Sequence, residues 1–453
     1  MLVIQNGWLV TPQGAAFGDM AVDGGRIAAL GARLSPAPQD DVLDASGLWV
    51  FPGFIDAHTH FDMGNDLAHT ADDFETGTRA ALMGGTTCVV DFATQERGGT
   101  LSDALAQWHR KAQGRCSCHY AFHMAITDWN ERTRAELADL LAAGVSTFKL
   151  YMAYDALRVN DGELYDVLVS TARLGGLVGV HCENGDLVNA GVRRERQSDA
   201  GVQGHPRSRP AAVEAEAVER LLRIAQVADC PVKVVHLSTR EGLEAVRRAR
   251  GRGQCVRVET CPQYLLLSDE RYRRPDGANY VCSPPLRPAS DREALVKALL
   301  EGEIDTIATD HCSYTSAQKA AAGRDFSRIP NGLPGVEHRA VAMMSAFVAT
   351  GRMDAAAMCR LLSENPAREM GMYPCKGALR VGSDADVVLW DPNAAGVLTA
   401  QGQWQNTDYT PYEGLRVSGG VRHVLLGGRW AVRDGRLIAP NLGSYVARRQ
   451  PQL

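Results

Sequence analysis

Nothing in this chain is built for a membrane or for nucleic acid. No apolar run approaches the roughly 18–20 residues that span a bilayer. The opening MLVIQNGWLV has no basic n-region, h-region or small-residue cleavage site, so the expected setting is cytoplasmic. Blocks of Lys and Arg are missing too. The 48 basic and 53 acidic residues leave a net charge of −5, too little to draw a polyanion. Short pairs such as Arg193-Arg194 read as solvated helix faces. The cysteines number 11, odd and without framework spacing, which points to reduced thiols rather than disulfides. Cys116-x-Cys118 is too tight for a zinc knuckle. No glycine-rich turn follows an early strand, which argues against an open dinucleotide-binding sheet. Internal repeats and low-complexity segments are absent as well.

What remains is a soluble-type composition, 45% hydrophobic and 22% charged, in 453 residues. That length suits an α/β barrel with a second domain. Residues 1–50 read as short strands joined by turns at Asn6-Gly7, Asp23-Gly24-Gly25 and Ser46-Gly47. The same texture returns over 375–440, with turns at Gly427-Gly428 and Asp434-Gly435. Neither end has enough apolar surface to fold alone. The expectation is one composite β-sandwich domain, 1–50 plus 375–440, split around a central domain, 51–374, with a tail, 441–453, free for oligomer contact.

Within 51–374, strand-like runs at 51–60, 86–94, 119–126, 145–154, 176–184, 231–238, 254–267 and 305–312 alternate with amphipathic segments. Eight β-then-α units with near-continuous apolar strands predict a closed parallel (β/α)8 barrel. The run 314–335 reads as a long functional loop after the last strand.

Chemistry in such barrels sits at the C-terminal ends of the strands. There the sequence puts His58 and His60, then Lys149, His181, His236 and Asp310. His58 and His60 are two apart on a strand, so both imidazoles face one space. One interior histidine is more often a hydrogen-bonded core residue than a ligand. Four with an aspartate at one barrel mouth form a metal site. Lys149 lies between Phe148 and Leu150, where a buried ammonium is costly. A neutral amine there can capture carbon dioxide as a carbamate, an anionic ligand with two oxygens. Asp310 can orient a water, accept its proton and return it to a leaving nitrogen.

These residues lie in GFIDAHTHF (53–61), TFKLYMAY (147–154), HCEN (181–184), VVHLS (234–238) and ATDHC (308–312). Together with ETCPQYLLL (259–267), CSPPLR (282–287) and FSRIPNGLPGVE (326–337), the set resembles the cyclic amidohydrolases of the amidohydrolase superfamily. The resemblance is to the D-hydantoinase/dihydropyrimidinase branch, in particular its bacterial D-phenylhydantoinase type, and covers essentially the whole chain. It implies two zinc ions, with His58, His60 and Asp310 on the more buried one and His181 and His236 on the other. Carbamylated Lys149 (N6-carboxylysine) would bridge them. It also implies Tyr154 as a donor to the oxyanion, and main-chain groups of Ser283 and Asn331 as substrate contacts. The reaction implied is opening of a 5-substituted hydantoin or a dihydropyrimidine to an N-carbamoyl amino acid, in a homotetramer.

Among rival activities, dihydroorotase carries an arginine two residues past the second histidine, where this chain has Asp62; a carboxylate substrate would be repelled there. Allantoinase-type hydrolysis is the alternative enzyme. A non-catalytic assembly protein of the same fold is the alternative class, and the filled ligand set argues against it. Met63, Leu67, Phe92 and Met152 are expected to form an apolar gate for an aryl or alkyl substituent.

Overall fold

The computed structural model describes residues 1–64 and 67–453. Among them, eight parallel strands pair in chain order: Phe54–Thr59, Thr86–Thr94, His119–Ala125, Thr147–Tyr151, Leu177–His181, Val232–Val234, Val256–Thr260 and Thr306–Ile307. Their valines, isoleucines and phenylalanines are buried, as strands covered on both faces require. The barrel closes where Thr59 bridges His311 in parallel and the His60 N–H donates to the His311 carbonyl at 2.8 Å. Closure therefore falls beside two of the expected metal ligands.

Helices follow the strands and cover them. Helix Asp161–Arg173 starts where the Asn160 side chain accepts from the Glu163 N–H, while the Glu163 carboxylate accepts from the Asn160 N–H. That reciprocal cap satisfies donors left over by the first turn.

Four segments depart from the sequence reading. The seventh strand stops at Thr260, and Pro262 opens a short helix, Pro262–Leu266, inside the run read as 254–267. Proline is pre-set for a first helical turn and cannot donate to a strand ladder. The sixth and eighth strands shrink to three and two residues. Their chains turn away at His236 and Asp310, whose φ angles are +40° and +53°. The amphipathic segment that follows the long loop after the eighth strand forms Arg339–Met343 running into a wider π turn, Met344–Val348.

The two chain ends meet in one nine-stranded mixed sheet. Trp49–Pro52 from the first end lies between Leu2–Thr11 and Val387–Val397 from the second. The sheet curls until Ile27 exchanges main-chain hydrogen bonds with Gly382 and Ser383, enclosing Ile4, Met20, Val50, Val387 and Leu425.

The tail expected to serve oligomer contact is bound along its own barrel. Val446 N–H donates to Tyr120, Arg448 N–H to Gly144 and Gln452 N–H to Arg368. The Arg448 side chain is buried under the barrel, donating to Thr147 Oγ1 at 2.7 Å and to the Phe122 carbonyl. All 11 cysteines are free, and burial pushes the Cys116 and Cys118 thiols up. No helix among the described residues is long and apolar enough to cross a membrane.

Candidate metal centre

Strand pleating and the turns after the short strands bring four imidazoles and one carboxylate to the barrel's C-terminal mouth. Asp310 Oδ1 stands 3.1 Å from both His58 Nε2 and His60 Nε2. His181 Nδ1 faces His236 Nε2 at 3.0 Å, and the His58 and His236 rings are 5.5 Å apart. One donor atom each from His58, His236 and Asp310 lies within a 4.8 Å span.

The donor set fits a divalent cation. His236 Nδ1 is buried without a hydrogen-bond partner, and His58 Nε2 has Asp310 Oδ1 at 3.1 Å but no hydrogen bond to it, an unusual cost for imidazole nitrogens. Burial works against a charged His58, yet Asp310 and Glu259 overcome it and raise its pKa. Burial likewise opposes ionisation of Asp310, and the neighbouring His58 and His60 outweigh it, holding the carboxyl well below the ordinary range. An ionised carboxylate among imidazoles is a ready-made cation site.

Five buried charges hold these donors from behind, and none is singled out by the sequence. Glu259 Oε1 is 2.7 Å from His58 Nδ1, and Lys233 pairs with Glu259 and with Glu369 at 2.7 and 2.8 Å. Glu183 Oε2 is 2.9 Å from His181 Nε2 and 2.6 Å from Arg209 Nη1. Such partners fix the tautomer and orientation of a metal-binding imidazole. A signal was present: Glu259 interrupts an apolar strand, VRVET, and Glu183 follows His181 by two residues.

Lys149 is 1% exposed and shares one small interior cavity with His58, Phe92, His123 and Glu259. Its amine sits over the rings of Phe92 and Tyr151, at 5.3 and 5.1 Å. Among the described residues no carboxylate lies within the 4.0 Å of an ion pair. Burial therefore wins, and its pKa falls to about 8.

Tyr154 projects from a backbone at φ +69°, its ring 5.2 Å from His181 and 5.5 Å from the Arg209 guanidinium carbon. Burial pushes its phenol up to about 12, against the pull of Arg209, so it stays a donor. Tyr154, His236 and Asp310 all occupy left-handed backbone that non-glycine residues rarely adopt, a strain typical of functional sites. Ser283 lies beside Tyr154, and the Gly332 N–H donates to the Val281 carbonyl at 3.0 Å, joining the loops of Ser283 and Asn331.

The expected gate is only partly at the rim. Phe92 is buried beneath the donors, stacked on His60 at 4.8 Å and on His123 at 4.6 Å, and Met152 is buried too. Leu67 is exposed and Met63 half-buried. His311 packs against Asp72 at 3.1 Å instead of joining the site.

The sequence model of the Amidohydrolase family matches residues 49–431. A D-hydantoinase of Streptomyces coelicolor is 42% identical, over 95% of this chain and 94% of its own. A D-phenylhydantoinase of Escherichia coli is 39% identical, over 99% and 98%. The crystal structure of a dihydropyrimidinase from Brevibacillus agri superposes with a TM-score of 0.97 at 36% identity, covering 99% of each chain.

Proposed function

Because the chain belongs to the amidohydrolase family, we propose that it hydrolyses cyclic amides, opening 5-monosubstituted hydantoins and dihydropyrimidines to N-carbamoyl amino acids. The observation that carries this reading is the convergence of His58, His60, His181, His236 and Asp310 around one point, with Tyr154 at its edge. The chain is also similar, end to end, to curated D-hydantoinases.

In this proposal His58, His60 and Asp310 would hold one divalent ion and His181 and His236 a second, with Lys149, as its carbamate, a ligand to both; zinc suits the donor set. Bound there, the ions supply a lowered pKa for water and polarise a ring carbonyl. Asp310, kept ionised by its histidines, accepts the water's proton at a carboxylate oxygen and returns it to the departing ring nitrogen. The Tyr154 hydroxyl donates to the oxygen that gathers charge as the carbonyl is attacked. Main-chain groups of Ser283 and Asn331 align the imide edge of the ring. Phe92 packs beneath the histidines, stacked on His60. The homotetramer that the resemblance implies and the cytoplasmic setting expected from the sequence belong to the same proposal.

The test is turnover of phenylhydantoin, dihydrouracil and allantoin by zinc-loaded protein. Ring opening of phenylhydantoin or dihydrouracil faster than of allantoin supports the reading; faster allantoin hydrolysis overturns it.

A further inference from the structure

Lys319 is 1% exposed and lies on the short helix Ser316–Ala320, within the loop that follows the eighth barrel strand. A lysine so enclosed ordinarily has a carboxylate partner. Among the described residues none is within 4.0 Å of its amine. Instead Nζ donates to two main-chain carbonyls, Val281 and Gly332, each at 2.7 Å. The groups facing it that can ionise are the thiols of Cys282 and Cys312, both raised by burial to about 12 and so uncharged. Burial, only partly offset by those thiols, takes the amine itself down to about 7. Its neutral form has two N–H donors, one for each carbonyl.

The two carbonyls are not arbitrary. Val281 is two residues before Ser283, and Gly332 directly follows Asn331. The Gly332 N–H already donates to Val281, and His205 Nε2 holds the Cys282 carbonyl at 2.7 Å. The carbonyls around Ser283 are thereby spent on protein partners. Side-chain bulk at Gly332 is also excluded, since a Cβ there would come 2.3 Å from the Cys312 carbonyl.

We propose that Lys319 is a positioning residue for substrate: it pins the Ser283 and Asn331 loops to each other at the spacing the ring's imide edge requires. The inference rests on the proposed role of those two loops. It separates binding from chemistry, because Lys319 touches none of the metal-site donors. Losing both donors leaves the buried Gly332 carbonyl without a partner and the Val281 carbonyl with the Gly332 N–H alone, a cost worth about tenfold or more in an equilibrium constant.

The test compares wild type with Lys319→Met, which keeps the stem and loses the donors, and Lys319→Arg, which keeps them. For phenylhydantoin, Lys319→Met is expected to raise KM about tenfold or more, with kcat within about threefold and zinc content unchanged. Lys319→Arg should recover part of the loss. An unchanged KM in folded Lys319→Met overturns the proposal. Should that variant not fold, Lys319→Gln replaces it, with one donor on a shorter stem; a wild-type KM there overturns the proposal equally. Amide hydrogen exchange reads the loops without any substrate. Exchange over 281–284 and 330–333 should quicken about tenfold in the variant while the barrel strands stay protected. Unchanged exchange overturns the proposal. A wild type that opens none of the rings, yet whose loops loosen in the variant, faults the proposed function instead.

Discussion

His58 Nδ1 and Glu259 Oε1 stand 2.7 Å apart, both buried, and Glu259 continues through Lys233 to Glu369 in the barrel interior. The imidazole at the mouth is therefore aimed by a chain of charges that begins well below it. Glu259→Gln keeps the shape and removes the charge that fixes the His58 tautomer. We expect zinc affinity to fall about 10–100-fold, read by competition with a chromophoric chelator. Unaltered affinity would mean that the carboxylate serves only Lys233.

Lys149→Ala should lose activity and most bound metal while the fold is retained. Among the described residues the side chain makes no ion pair whose loss would unbalance the interior, and its amine rests over the Phe92 and Tyr151 rings. Short carboxylic acids should restore part of the activity by standing in for the carbamate. Full activity without them would remove Lys149 from the site.

Arg448 fastens the tail. Its donors reach Thr147 and the Phe122 carbonyl, and Thr147 also bonds His123 Nδ1 at 2.7 Å. Arg448→Met leaves the Phe122 carbonyl and Thr147 short of a donor in a buried place, so urea unfolding should show a loss of about 3 kcal/mol. A change under about 0.5 kcal/mol would show that the tail adds nothing to the barrel.

Acid sensitivity should follow His205. Burial, reinforced by Arg209, takes its pKa to about 3, against an ordinary value of 6.5. The unfolded chain takes up a proton below about pH 6.5 that the folded chain refuses, so this contribution is lost as pH falls from there toward 3. His205→Gln should unfold with a pH slope shallower by about 1.4 kcal/mol per unit between roughly pH 5.5 and 4. An unchanged slope would assign the acid response to other groups.

The barrel was legible because each of its eight strands is an apolar run bounded by turn residues, and the donors were legible because each ends such a run. The spacing of His58 and His60 shows that they share a face, and the histidines and aspartate ending later strands make that pair a candidate site. Glu183, Glu259 and Arg209 are not marked in this way, since their partners are set by folding: Arg209 meets Glu183 from 26 positions away, and Glu259 meets His58 from 201. The short sixth and eighth strands were over-read for a related reason. Apolar character continues past Val234 and Ile307, while the backbone turns to aim His236 and Asp310, and a hydrophobic pattern carries no record of a positive φ. The docking of the tail on its own barrel was not legible because its contacts with Tyr120, Gly144 and Arg368 lie in three remote segments.

The most direct measurement is a crystal structure of zinc- and bicarbonate-loaded protein with anomalous data at the zinc edge. The account predicts two anomalous peaks, one against His58, His60 and Asp310 and one against His181 and His236, joined by density extending beyond Lys149 Nζ. A mouth without anomalous signal around a bare Lys149 amine would contradict it.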